Sequence, residues 1–293
     1  MHNREINPYQ KPINQVQDYI EEHLSQTLTI KELANIAHFS EYHFQRIFSG
    51  VVGESLYSFI KRLRLEKAAY MLLADRTQSI NNIAARVGFE HQASFAKAFQ
   101  GKYGMSGSAY RKKYSRLCPS PMILHTSQKL EMRIEPIDTF ITEEAAMKLI
   151  YIRNTGVYKG DSALFSELFY QLYQWAKARD LISKRTRWFV LYHDFGQETQ
   201  EEYLRLSVCM SVEQALEVSG NIGQLNLPMG KYGVGRFCVG PDEYEEAWNY
   251  MYMQWLPESG YRLDHRFALE HYPHSEEGNS KRTVEIYLPI ISS

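Results

Sequence analysis

The strongest constraint on this 293-residue chain is a duplication in its first third. At an offset of 50, Leu33, Ala34, Ala37 and Phe39 recur as Ile83, Ala84, Val87 and Phe89. At an offset of 51, Phe44, Ile47, Phe48, Gly53, Ser55 and Phe59 recur as Phe95, Ala98, Phe99, Gly104, Ser106 and Tyr110, so one residue is inserted in the second copy's turn. Each copy reads as a short helix, a turn and a second amphipathic helix: TIKELANIAHFS precedes Glu41, and SINNIAARVGFE precedes His91. Thr29 and Ser79 are expected N-caps, with Glu32 completing a capping box on Thr29. Two helices joined by a tight turn, the second with a polar face, make a helix-turn-helix. The stretch SLYSFIKRLRLEKAAYMLLADR between the copies is free of Pro and Gly. Its roughly 20 residues reach about 30 Å as a helix, close to one turn of B-DNA. Two reading helices can then enter successive major grooves on one side of a duplex.

The second helix of the first copy sets Phe44, Ile47, Phe48 and Val51 on one apolar stripe. Tyr42, Gln45, Arg46 and Ser49 lie about 150° away, and all four can hydrogen-bond or stack. A solvated face would carry Glu and Lys instead. In the second copy the equivalent face is Ala93, Ala96, Lys97 and Gln100, with His91, Gln92 and Ser94 near the helix start. That face is poorer in hydrogen-bonding groups, so the first copy is expected to supply most base readout and Lys97 a phosphate or guanine contact. Arg62, Arg64, Arg111, Lys112 and Lys113 read as phosphate contacts or solvated charges. Phe44, Phe48, Phe95 and Phe99 read as core.

Charge divides the chain in the same place. Residues 1–116 carry 16 Lys/Arg against 10 Asp/Glu, and residues 117–293 carry 17 against 24. A basic first half suits a polyanion such as DNA. Cys118, Cys209 and Cys238 are odd in number and without ligand spacing, so they imply neither a disulfide framework nor a metal site, and no cofactor is expected. The N-terminus, MHNREINPYQ, lacks an apolar signal core, and no apolar run approaches the roughly 20 residues that span a bilayer. A cytoplasmic protein without membrane association is expected.

Beyond LCPSPMILHTSQ the pattern changes. MKLIYIRN, SALFSELFYQLYQWAKARDLI, WFVLYHDF and YLRLSVCMSV follow a β-α-β-β order, and MGKYGVGRFCVG, PDEYEEAWNYMYMQWLPESG, HRFALEHYPH and RTVEIYLPI repeat it. Gly156 corresponds to Gly240 and Trp175 to Trp255. Two such units are expected to join their sheets and leave a cleft. The fold class is therefore an all-α domain with two helix-turn-helix units over residues 9–114, a linker over 115–130, and an α+β domain of two β-α-β-β repeats over 131–290. Glu270 and Glu285 sit on strands among apolar and aromatic residues, where an ionised carboxylate is costly unless paired or met by a cationic ligand. Trp175, Trp188, Trp248 and Trp255 all lie in this half and read mainly as core.

Residues 13–114 resemble the DNA-binding domain of the AraC/XylS family, through the two units, the connecting FIKRLRLEKAAYMLL and the closing GFEHQASFAKAFQGKYG with AYRKK. The chain departs from the family at Leu56 and Gly107, where Pro is usual; loss of Pro there is expected to loosen the following helices. The resemblance implies Tyr42, Gln45 and Arg46 as readers. Residues 131–290 resemble the GyrI-like effector-binding domain, through TGVYKG, VGPDEYEEAW with Asp242 at the third place of Gly-Pro-Tyr, ALEHY and VEIYLPI. The combination resembles a Rob-like architecture. It implies a transcription activator that contacts RNA polymerase and binds DNA as a monomer. Its effector pocket would be built on Glu270, Tyr272, Glu285, Tyr287 and Tyr158 and filled by a small, cationic or amphipathic molecule. Two alternatives stay open: a small-molecule hydrolase with Glu270 as general base, or a ligand-free interaction module. No nucleophile elbow or phosphate cradle supports the former, and no enzyme is expected.

Overall fold

The computed structural model describes residues 8–75, 77–114, 134–194, 199–264, 266–273 and 281–292. The expected linker and Cys118 lie outside them. The chain divides into two compact units, one helical and one built on a sheet.

The helical unit runs α1 (Gln10–Glu22), α2 (Ile30–Ile36), α3 (Glu41–Val52), α4 (Leu56–Ala74), α5 (Ile80–Arg86), α6 (Gln92–Tyr103) and α7 (Gly107–Lys113). Its boundaries are written locally. The hydroxyls of Thr29, Ser40, Ser55, Ser79 and Ser106 accept hydrogen bonds from the backbone N–H groups of Glu32, His43, Ser58, Asn82 and Ala109, satisfying donors that a helix start leaves open. Gly53 and Gly104 close α3 and α6 in the left-handed conformation, at φ 85° and 68°. The capping box at Thr29 is only half formed, because the Glu32 carboxylate accepts from the Tyr19 hydroxyl of α1 instead of reaching back. The helices α4 and α7 begin at Leu56 and Gly107, with the Ser55 and Ser106 hydroxyls as their caps. Phe44, Phe48 and Phe59 centre the first core, and Phe95, Phe99 and Tyr110 are buried in the second.

The second unit contains β1 (Asp138–Glu144), β2 (Met147–Thr155), α8 (Ser162–Lys177), β3 (Trp188–Tyr192), β4 (Arg205–Val212), β5 (Ile222–Leu227), β6 (Gly230–Val239), α9 (Tyr244–Tyr250), α10 (Leu256–Glu258), β7 (Tyr261–Leu263), β8 (Leu269–Tyr272) and β9 (Arg282–Ser292). A π-helical turn, Met251–Trp255, joins α9 to α10. The strand order is β1-β6-β9-β8-β3-β4-β2-β5, with β7 on β9. The first repeat therefore contributes β3-β4-β2 and the second β8-β9-β6, and they join at β3 and β8, which correspond in the two repeats. At that seam Val190 is paired with Glu270. One sheet face carries a core of Leu149, Tyr151, Phe189, Cys209, Val234 and Tyr287, with Leu225 and Leu227 of β5 in the same cluster. On the other, Trp255 and Met251 lie against Gly233 and Gly235, where a Cβ would collide with them at 1.9 and 2.3 Å. No described helix is long and apolar enough to cross a membrane.

Candidate functional site

Two groups of side chains stand out from the packing. On α3, Tyr42, Gln45, Arg46 and Ser49 are all exposed, Tyr42 at 73%, while Phe44, Ile47 and Phe48 are buried. Arg46 lies one turn after Tyr42, with its guanidinium carbon 5.8 Å from the Tyr42 ring centre. The pair sets a planar guanidinium with five N–H donors beside an aromatic ring on an exposed helix face. On the second copy, His91 occupies the N-cap position of α6 without a side-chain cap bond, followed by exposed Gln92, Ser94, Lys97 and Gln100. The Gln100 amide NH₂ donates to the Gly104 carbonyl at 2.9 Å and thus also holds its own helix end.

Three arginines expected at phosphates or in solvent are structural instead. Arg62 is buried in ion pairs with Glu54 and Glu66. Arg64 donates to the carbonyls of Leu24 and Gln26, and Arg111 to those of Leu72 and Gln78. Their partners and partial or full burial set them apart from Lys112 and Lys113, which are exposed.

In the second unit Glu270 is 1% exposed. Its Oε1 accepts from the Trp248 indole N–H at 2.7 Å, and its Oε2 accepts from the hydroxyls of Tyr272 at 2.6 Å and Tyr192 at 3.0 Å. Tyr192 follows Val190 by two residues and Tyr272 follows Glu270 by two, so the seam between the repeats delivers both tyrosines to one carboxylate. Among the described residues no Lys, Arg or His pairs with Glu270. Burial pushes its pKa upward, against the pull of the three hydrogen bonds. Burial, and then the charge of Glu270, holds the Tyr192 and Tyr272 hydroxyls well above the ordinary phenol value. The Tyr158 ring lies 5.7 Å from Tyr192, and its buried hydroxyl has no hydrogen-bond partner among the described residues. From Tyr272 an aromatic track leads along α8, through Phe169 at 5.4 Å and Trp188 at 6.2 Å to Tyr173, which is exposed.

Glu285 and Tyr287 are not part of this enclosure. Residues paired across β8 and β9 share a face, so Glu270 goes with Ile286, while Glu285 goes with His271 on the opposite side. There Glu285 meets Arg236 at 2.7 Å and His271 Nδ1 at 2.8 Å, and Tyr287 accepts from Arg187, itself paired with Glu144. Burial alone would raise the Glu285 pKa, but the bonds from His271 and Arg236 outweigh it and bring it to about 2. The single pocket expected from five residues is thus split. Glu270, Tyr272 and Tyr158 are brought together; Glu285 and Tyr287 form an ion-paired cluster behind the sheet. The reason is the two-residue period of a strand, which puts 270 and 285 on opposite faces once the register is set.

Comparison with known proteins finds a family match in each of the two units. The GyrI-like small molecule binding domain matches residues 138–291, more than half of the chain. The chain belongs to the GyrI-like family. A helix-turn-helix domain matches residues 33–113, and the combination is an AraC-type DNA-binding domain with a GyrI-like domain. The HTH-type transcriptional activator AarP of Providencia stuartii is 35% identical over 99 residues, which are 34% of this chain and 73% of AarP. The HTH-type transcriptional regulator YbfP of Bacillus subtilis is 37% identical over 103 residues, 35% of either chain, so this chain spans about a third of that relative's length. The crystal structure of the EcmrR C-terminal domain aligns at 22% identity and a TM-score of 0.45, covering 53% of this chain and 98% of that one.

In this GyrI-like domain, sequence reasoning missed Tyr192 as a partner of Glu270 and took Trp248 for core. Trp248 is core by burial, yet its N–H is spent on the carboxylate. A usable signal was present: Tyr192 and Tyr272 hold equivalent places in the two repeats. Among the described residues there is no group of three or more metal-ligating side chains.

Proposed function

We propose that the protein is a transcription regulator that binds promoter DNA through α3 and α6 and responds to a small aromatic or amphipathic cation held at Glu270. Tyr42, Gln45, Arg46 and Ser49 are the principal base and backbone contacts, and His91, Gln92, Ser94, Lys97 and Gln100 the second set. The observation that carries the sensing half is a buried carboxylate surrounded by hydrogen-bond donors and rings, with no cationic side chain against it among the described residues. A ligand cation supplies the missing charge, and the rings of Tyr272, Tyr192 and Trp248 add cation-π attraction. The unpartnered Tyr158 hydroxyl supports a further hydrogen bond to the ligand. Activation through RNA polymerase is the sign we favour, since AarP is named an activator. The ligand acts by its differential affinity for two states of the regulator.

Isothermal titration with quaternary-ammonium aromatics and their neutral carbon isosteres tests the sensing half. Saturable binding of the cations alone, weakened roughly 10- to 100-fold in Glu270→Gln, is expected, since opposite unit charges about 5–10 Å apart at an effective dielectric near 20 attract by about 1.5–3 kcal/mol. Equal binding of cation and isostere removes Glu270 from the site, and turnover of a bound ester would make the domain an enzyme. Selection from a random DNA pool tests the other half: one enriched site with two elements about a helical turn apart is expected.

A further inference from the structure

A chain of four alternating charges runs through the helical unit and touches both helix-turn-helix copies. Glu54 lies just past the Gly53 cap of α3. Arg62 of α4 gives it two hydrogen bonds, from Nε at 2.8 Å and Nη2 at 2.7 Å. The Nη1 of Arg62 then meets Oε2 of Glu66 at 3.2 Å, and the other carboxylate oxygen of Glu66 accepts from Lys102 Nζ, in the last turn of α6, at 2.9 Å. Glu66 is 3% exposed and Lys102 22%. The neighbouring Tyr103 hydroxyl also donates to the Leu65 carbonyl. The C-terminal ends of both reading helices are therefore tied to one stretch of α4.

Resting on the DNA-binding reading, we infer that Lys102, Glu66, Arg62 and Glu54 are positioning residues that fix the distance between the two reading helices, and with it the operator spacing the protein accepts. Buried ion pairs are poor stabilisers compared with apolar packing, and their best-attested use is to fix one arrangement among several. The lever is long. Both α3 and α6 have 12 residues, about 18 Å at 1.5 Å per residue. A swing of about 10° at the tied end moves the other by about 3 Å, close to the rise of one base pair. Loosening one tie is thus enough to blur the spacing by a base pair, without touching any group that faces DNA.

The test measures binding of the full-length protein to its selected two-element site, to that site with one base pair added to or removed from the spacer, and to a single element. For the wild type, either spacer change is expected to weaken binding roughly tenfold, because simultaneous engagement is lost. Lys102→Met, altered at the more exposed end of the chain, is expected to flatten that dependence to less than about threefold, with single-element affinity within about twofold. Lys102→Arg should restore the wild-type dependence. A Lys102→Met protein that keeps the full spacing dependence, or that loses affinity equally on every DNA, overturns the relay and leaves the DNA-binding reading intact. A wild type that binds its site but is indifferent to spacing overturns the relay together with the reading that both units engage DNA at once. Glu66→Gln repeats the measurement from the middle of the chain, with a melting curve to establish that it is folded.

Discussion

Replacing Glu270 by Gln isolates the cost of an ionisable carboxyl inside an aromatic enclosure. Burial lifts its pKa above the ordinary value of 4.5, opposed by the bonds from Tyr272, Trp248 and Tyr192. A carboxyl held up in this way binds its proton more tightly when folded than when unfolded. Its contribution is fully present below 4.5 and is lost as pH rises through the higher folded value. Each unit of upward shift corresponds to about 1.4 kcal/mol, and about 1 kcal/mol moves the melting temperature of a domain of this size by roughly 2–4 °C. Gln carries no charge at any pH. It keeps an acceptor for the Trp248 N–H and turns its NH₂ toward hydroxyls that can rotate to accept, a mismatch of about 1 kcal/mol that does not depend on pH. Calorimetric melting of both proteins should therefore show Glu270→Gln no better than wild type at pH 4 and gaining on it as pH rises toward 8, by roughly 3–6 °C for each unit by which the folded pKa is raised. A wild-type-to-variant gap that stays constant across that range refutes the upward shift, and with it the argument that burial leaves the Glu270 charge uncompensated.

The cluster behind the sheet has the opposite sign. The Glu285 carboxyl is held down to about 2, so its stabilisation is present above its ordinary value and disappears as pH falls through about 2. Arg236 is 42% exposed, so solvent screening reduces the expected loss in Glu285→Gln to about 1–2 kcal/mol at pH 7. Acid titration of stability checks this: the gap to wild type should close toward pH 2, and a gap unchanged on acidification would mean that packing rather than charge is lost. On the reading face, Arg46→Ala is expected to cost about 1–3 kcal/mol on the selected site and far less on random DNA. Fluorescence anisotropy on both DNAs measures it, and an equal loss would show that Arg46 holds only phosphate.

The helical unit was almost wholly legible because its signals are local. Caps such as Thr29 and Ser79 and the spacing of Phe44 and Phe48 each act within a turn or two of chain, and the duplication let one copy check the other. The exposure of Tyr42, Gln45 and Arg46 followed from helical periodicity alone. The β-α-β-β repeats were legible for the same reason: alternation and helix period name the elements without naming their neighbours. What the chain could not announce was register. Only the pairing of β8 with β3 and β9 puts Tyr192 beside Glu270 and sends Glu285 to the other face, and only the packing of α6 on α4 brings Lys102 to the buried Glu66. Amino-acid type fixed which groups can carry charge or donate hydrogen bonds. Which charges meet, and which one is left without a partner, depended on contacts between residues distant in sequence, and those contacts exist only in the folded molecule.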